Sequence, residues 1–263
     1  MDKIVISDVD GTLVKDGTLD INPEYFEVVK ELLDKRIQVV ISSGRSFSSA
    51  SKLLVSFVNE LYFICDGGTS IWKGGKIIKT FPMEESLWKG LFRDAMKIPG
   101  CDGFISTGAS GYALDPDSEM YRWLTESYGF EMTPMKDIDD IKDPVIKLSV
   151  FHGVDCEEAC REGFTPKWKD KAKIASAGSA WMDCVEKNAS KGTALKWLQE
   201  YLGIGKEDTY AFGDNINDIE MLKSAGHSYA VGNARDELKA VADEVIKPYW
   251  EDGVLEVLKS LLR

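Results

Sequence analysis

The stretch Ile4-Val5-Ile6-Ser7-Asp8-Val9-Asp10-Gly11-Thr12 begins as a β-branched apolar run and breaks abruptly into two carboxylates and a glycine. A short apolar run without period-two polarity fits a strand buried on both faces, as in a parallel sheet. In an open parallel sheet ligands bind beyond the carboxyl ends of the strands, so Asp8 and Asp10 would project into that crevice. Two carboxylates one residue apart suit a divided task. One attacks phosphorus or binds a metal, and the other exchanges a proton with the leaving oxygen. Gly11 allows a sharp turn and brings backbone N–H groups toward a phosphate. A plain Asp-Gly turn would explain the same letters. An EF-hand loop would not, because its glycine falls at the sixth position and helices flank it.

Working outward, Glu24 to Lys35 carries Phe26, Val29, Leu32 and Leu33 at helical spacing. Ile37 to Ile41 is a second apolar run, Ser46 to Glu60 is expected to be a helix, and Leu61 to Cys65 a third strand. Trp72 to Phe81 has the form of a hairpin turning at Lys73-Gly74-Gly75-Lys76. The pattern then becomes mixed. Strands are expected at Ile146 to Phe151 and Ala180 to Val185, and polar helices at Met83 to Met96 and Ser118 to Tyr128. Alternation resumes with a helix at Lys191 to Leu202, a strand at Thr209 to Phe212 and a helix at Ile216 to Ala225. Strands at Tyr229 to Val231 and Glu244 to Ile246 and helices at Glu237 to Ala242 and Val254 to Leu262 complete it. The expectation is an α/β fold with a Rossmann-like parallel-sheet core, residues 1–81 and 188–263, interrupted by an inserted α+β cap, residues 82–187.

Three more constellations stand at expected strand ends. Gly213-Asp214-Asn215-Ile216-Asn217-Asp218 follows a strand and opens a helix, which places Asp214 at the strand end and Asp218 on the first helical turn. Helix capping accounts for one or two of these residues. A hard cation with oxygen ligands accounts for the surplus, and Mg2+ suits a site of a few carboxylates, water and phosphate. Ser43-Gly44-Arg45 also ends a strand. Ser43, with Gly44 beside it, is a candidate phosphate-binding position, and an ordinary N-cap is the alternative. Lys191 opens a helix, an unfavourable place for a cation unless an anion lies nearby. A solvated surface lysine is the alternative there.

In order, the Asp8–Thr12, Ser42–Arg45, Lys191 and Gly213–Leu222 segments resemble the four motifs of the haloacid dehalogenase phosphohydrolase superfamily. The placement of the insertion resembles its Cof-type branch. That resemblance implies that Asp8 is a nucleophile that becomes a transient aspartyl-phosphate. Asp10 would act as acid and then base. Mg2+ would be held by Asp8, the Asp10 carbonyl and Asp214, with Asp218 near its water shell. Ser43 and Lys191 would bind phosphoryl oxygens, and Asn217 would hold phosphate or orient Lys191. It also implies a small phosphorylated metabolite as substrate, usually a sugar phosphate in that branch. Asp66-Gly67-Gly68 departs from the Asn-Gly-Ala of many relatives and adds a negative charge. A phosphosugar mutase and a receiver-like phospho-Asp switch use similar residues; the cap and Asp10 count against the switch.

Composition bounds these readings. The 263 residues are 44% hydrophobic and 29% charged, with a net charge of −12. Such a balance disfavours a nucleic-acid footprint and requires a local cation for an anionic substrate. The N-terminal apolar run is too short for a secretory signal, and no membrane span is expected, so a cytoplasmic protein is expected. Cys65, Cys101, Cys156, Cys160 and Cys184 include no CxxC pair, and reduced, mostly buried thiols are the expectation. Cys156 and Cys160, one helical turn apart, could share a metal, but with only two histidines, His152 and His227, a zinc site is not expected. From position alone, Lys147, His152, Trp181 and the Ser176–Ser179 loop are candidates for reading the leaving group. Structural roles are the alternative for each.

Overall fold

The computed structural model describes residues 2–127 and 131–263. The chain divides into two compact units, one formed by Met1–Lys79 with Ser190–Arg263 and the other by Thr80–Ala189.

The first unit opens with β1 (Ile4–Asp8), α1 (Glu24–Asp34), β2 (Gln38–Ser42), α2 (Phe47–Ala50), β3 (Tyr62–Cys65), β4 (Ser70–Lys73) and β5 (Lys76–Thr80). All five residues of β1 are buried, as its unbroken apolar run requires. Helix α1 buries Tyr25, Val28, Val29 and Leu32, a face rotated from the one that Phe26 and Leu33 would mark. The helix expected over Ser46 to Glu60 shortens to α2, followed by turns and a 3-10 turn at Val55–Phe57. Ser46, Ser48, Ser49 and Ser51 offer the backbone local alternatives to helical pairing, and buried Leu53 and Leu54 anchor the irregular segment instead.

The second unit contains α3 (Glu85–Ala95), β6 (Cys101–Ser106), β7 (Gly111–Ala113), α4 (Glu119–Arg122), β8 (Met132–Pro134), β9 (Lys147–His152), α5 (Cys156–Cys160), α6 (Phe164–Trp168), β10 (Ala172–Ser176) and β11 (Trp181–Glu186). Its sheet runs β10-β11-β9-β6-β7-β8, antiparallel except between β7 and β8. Trp88, Leu91, Phe92, Cys156, Cys160, Phe164 and Trp168 from the helices pack with Ile105, Leu148, Val150, Met182 and Cys184 from the strands. A smaller cluster gathers Phe104, Phe151, Met120 and Leu124 with Trp123 and Trp181. Trp181 sits 4.9 Å from Phe151 between ring centroids, and Lys147 pairs with Asp183 at 3.5 Å. The helix expected over Ser118 to Tyr128 is α4 followed by a wider turn at Trp123–Ser127; Tyr128 lies outside the described residues.

The first unit resumes with α7 (Lys191–Leu202), β12 (Thr209–Gly213), α8 (Ile219–Lys223), β13 (His227–Val231), α9 (Asp236–Lys239), β14 (Glu244–Ile246) and α10 (Gly253–Leu261). The eight-stranded sheet runs β14-β13-β12-β1-β2-β3-β4-β5. It is parallel from β14 through β3, and β4 returns antiparallel against β3. The chain leaves β1 toward β2 on one side and later departs from β12 on the other. The β1–β12 boundary is therefore a topological switch point, where α/β sheets open a ligand crevice. Among the described residues no helix is long and apolar enough to cross a membrane.

Candidate active site

Asp8 is the last residue of β1, and Asp214 follows the last residue of the adjacent β12. Beyond Asp8 the chain turns tightly, with Gly11 N–H donating to Val14 O at 2.8 Å and Leu13 N–H to Val9 O at 2.9 Å. Gly11 takes φ +80°, and a Cβ there would stand 2.9 Å from Asp214 Cγ, so glycine is required twice over. Asn233 Nδ2 donates to Gly11 O at 2.7 Å and Arg235 N–H to Asp214 O at 2.8 Å, stitching the two strand ends to the loop after β13. Thr12 Oγ1 lies 3.2 Å from Asp8 Oδ2 and 3.3 Å from Asp214 Oδ1, between the two carboxylates.

Lys191, at the first turn of α7, is 1% exposed. Its ammonium donates to Asp8 Oδ1 and, at 2.7 Å, to Asp218 Oδ1. The anions that justify a lysine at a helix N-terminus are thus these two carboxylates. Asp218 is fully buried, and its other oxygen accepts from the N–H groups of Asp214 at 3.1 Å and Asn215 at 3.2 Å. Asp218 therefore fixes both Lys191 and the loop that carries Asp214. Asn217 is exposed on the same turn and, among the described residues, takes no part in the hydrogen bonds around Lys191.

Asp10 points elsewhere. Arg45 grips its carboxylate with two nitrogens, Nε at 2.8 Å, and also donates to Thr18 O at 2.8 Å. Gly17 N–H adds a bond to Asp10 Oδ1 at 2.9 Å. Arg45 was visible in the sequence only as the letter after Gly44; its partner stands thirty-five positions away. Ser43 is buried, and its hydroxyl oxygen accepts from Arg45 N–H at 3.1 Å, which leaves its proton available to an anion. Gly44 is exposed and faces open space. Ser46, not Ser43, precedes α2. Asp66 is a structural part of this rim: its N–H donates to Arg45 O at 2.9 Å, Gly67 N–H donates to Ser43 O at 3.0 Å, and its φ is +50°.

The charges are unbalanced. Asp8, Asp214 and Asp218 offer carboxylate oxygens within 4.8 Å of one another, against one ammonium. Burial, opposed by Lys191 and reinforced by Asp218 and Asp214, pushes the Asp8 carboxyl well above the usual range. Burial and Asp218 push Asp214 up to about 6. Burial would raise Asp10 as well, but the hydrogen bonds from Arg45 and Gly17 outweigh it and hold Asp10 below its usual value. An all-oxygen donor set with surplus negative charge suits a hard divalent cation, and this set fits one. Asp8, Asp214 and Asp218 each offer it an oxygen, and Asp218 is the most heavily engaged of the three, with Lys191 on one oxygen and two backbone N–H groups on the other.

A parallel sheet with a carboxylate at its switch point, backed by a buried lysine and further carboxylates, is the setting of a phosphoryl-handling α/β hydrolase. The sequence pattern of the haloacid dehalogenase-like hydrolases matches residues 5–258, so the chain belongs to that family and is an enzyme of phosphatase type. A crystal structure from Eubacterium rectale is 46% identical, covers 99% of each chain and superposes with a TM-score of 0.91. The 5-amino-6-(5-phospho-D-ribitylamino)uracil phosphatase YcsE of Bacillus subtilis is 27% identical over 98% of this chain and 94% of its own. An HMP-PP phosphatase of Serratia proteamaculans is 25% identical over 100% of this chain and 96% of its own.

Proposed function

We propose that the enzyme is a Mg2+-dependent phosphomonoesterase that transfers phosphate from a small metabolite to Asp8 and then to water. The observation that carries this reading is the placement of Asp8. Its carboxylate ends a buried strand, with one oxygen on Lys191 and the other on Thr12. Asp8 attacks phosphorus in line, and the bond to the leaving oxygen breaks as the aspartyl-phosphate forms. Lys191 screens repulsion between Asp8 and the phosphoryl group, and the Ser43 hydroxyl, with Gly44 alongside, binds a phosphoryl oxygen. Asp10 protonates the leaving alcohol, then takes a proton from the water that splits the acyl phosphate. To do so it must exchange its contact with Arg45 for one with substrate. Mg2+ bound by Asp8, the Asp10 carbonyl and Asp214 would neutralise charge on the transferring group. Asn217, exposed beside this cluster, would meet substrate rather than Lys191.

The names of the relatives support a small phosphorylated metabolite as the substrate class. YcsE is named for a phosphorylated ribityl-uracil, and the second unit inserted between Lys79 and Ser190 would read the leaving group. Sugar or polyol phosphates are therefore the first compounds to try. The test is phosphate release from p-nitrophenyl phosphate, hexose phosphates, 5-amino-6-(5-phospho-D-ribitylamino)uracil and HMP-PP, with Mg2+ and with EDTA. Hydrolysis is expected only with Mg2+, and Asp8→Asn should lower kcat by about 10³-fold or more. Full activity in Asp8→Asn would overturn the assigned nucleophile. An isomeric sugar phosphate in place of inorganic phosphate would make the enzyme a mutase.

A further inference from the structure

The loop between β13 and α9 carries a side chain that the proposed chemistry does not touch. Asn233 donates from Nδ2 to Gly11 O at 2.7 Å and accepts at Oδ1 from Tyr249 N–H at 3.2 Å. A carbonyl only accepts and a backbone N–H only donates, so one orientation of the amide satisfies both partners. Aspartate, of the same shape, could keep only the second bond. Two residues further along the same loop, Arg235 N–H donates to Asp214 O at 2.8 Å.

One short loop therefore grips two segments that are far apart in the chain. One is the turn that follows Asp8 and contains Asp10; the other is the end of β12, where Asp214 stands. Inside the turn, Val9 O accepts from the N–H groups of Thr12, Leu13 and Val14, bonds that shape the turn without fixing it against β12. Thr12 adds a longer contact, 3.3 Å, to the Asp214 carboxylate itself. Gly11 is held at both of its polar groups, its N–H by Val14 O at 2.8 Å and its carbonyl by Asn233. The Asp10 carbonyl shares a planar peptide unit with Gly11 N–H and points the opposite way, so holding Gly11 sets its direction. The step from Asn233 to Arg235 then sets how far that carbonyl stands from Asp214. The loop is backed in turn by the segment before α10: a Cβ on Gly232 would stand 3.0 Å from Pro248.

We propose that Asn233 is a positioning residue that tunes the cation site toward Mg2+ and against Ca2+. That role rests on the Mg2+ site proposed for Asp8, the Asp10 carbonyl and Asp214. Mg2+ demands near-octahedral oxygens at about 2.0–2.1 Å, whereas Ca2+ accepts more ligands, in looser geometry, at about 2.3–2.6 Å. A ligand frame held at both ends by one loop favours the exacting ion. A slack frame favours the tolerant one. What Asn233 supplies is therefore selectivity more than affinity.

The experiment titrates Mg2+ and Ca2+ separately into full-length wild type, Asn233→Ala and Asn233→Asp by calorimetry, with no substrate present. Asn233→Ala loses both bonds, and Asn233→Asp keeps the one from Tyr249 but cannot donate to Gly11 O. Each should raise the Mg2+ dissociation constant about tenfold or more, as expected when a group behind a metal ligand is lost. The Ca2+ constant should rise less, so the preference for Mg2+ falls. The charge that Asn233→Asp adds acts on both divalent ions alike, and the ratio still reads geometry. Should Asn233→Ala fold poorly, by its melting curve without metal, Asn233→Asp answers alone. A merely structural asparagine would weaken both ions equally or neither. A preference for Mg2+ that stays at the wild-type value in a folded variant would overturn this proposal and leave the metal site standing. Wild type that binds no Mg2+ would overturn the metal site and this role with it.

Discussion

At the scale of single residues, the two carboxylates of the opening motif are set apart by their partners. Asp8 shares Lys191 with Asp218 in a buried cluster, whereas Asp10 is turned out and clamped by Arg45. The clamp favours the ionised Asp10 carboxylate, the form that the proposed activation of water requires, and fixes its place. Asp10→Asn should accumulate phosphoenzyme or abolish turnover, as trapping with labelled substrate would show. Arg45→Ala should lower kcat by roughly ten- to a hundredfold, no more than the usual worth of the acid–base group that it positions. It should also let the Asp10 carboxyl rise, because Arg45 is the chief influence that lowers it against burial. If ionised Asp10 sets the acid limb of the kcat profile, that limb then moves to higher pH. Arg45→Lys should recover only part, since an ammonium supplies charge without the two-pronged fork. An unmoved acid limb in Arg45→Ala would show that Asp10 does not set it.

At the scale of elements, the start of α7 is the part most dependent on its local sequence. Ser190 caps the helix by accepting from Thr193 N–H at 3.0 Å and donates its own proton to Glu220. Gly192 lets α7 approach α8 so closely that a Cβ would stand 2.6 Å from the Glu220 backbone. Ser190→Ala should cost about 0.5–2 kcal/mol of stability. Gly192→Ala should cost more and also reduce activity, because the helices must part and carry Lys191 with them; thermal melting and kcat together check this. These features also mark what the sequence could convey. Ser190-Lys191-Gly192 sits at a helix start that its periodicity announces, and β1 and β12 declare themselves by unbroken apolar runs. The segment after Ser46 did not, because a run of serines matches helical spacing while competing for the backbone. The Arg45–Asp10 and Asn233–Gly11 contacts were hidden for a different reason: each joins residues far apart in the chain, and no periodicity encodes them.

At the scale of the whole molecule, a chain of net charge −12 concentrates further negative charge at its candidate active site. The surplus should make the first unit's stability depend on pH and, with the proposed metal bound, on a cation as well. Asp214 is raised to about 6, and Asp8 is raised too, both first by burial. A carboxyl whose folded value exceeds its unfolded one binds more protons when folded, so stability falls as pH rises between the two values. In EDTA the melting temperature should therefore drop as pH rises from about 4 toward 6 and above, through these two groups. Mg2+ bound to the ionised carboxylates, as proposed, would oppose that loss and at ten times its dissociation constant would add about 1.4 kcal/mol. The stabilisation by Mg2+ should accordingly be larger at pH 7.5 than at pH 5. Asp214→Asn separates the causes: it removes the charge, so the variant should be more stable than wild type in EDTA at pH 7.5 while losing the response to Mg2+. Should Mg2+ raise the melting temperature of Asp214→Asn as much as that of wild type, Asp214 holds no metal and the carboxylate cluster serves only to position Lys191.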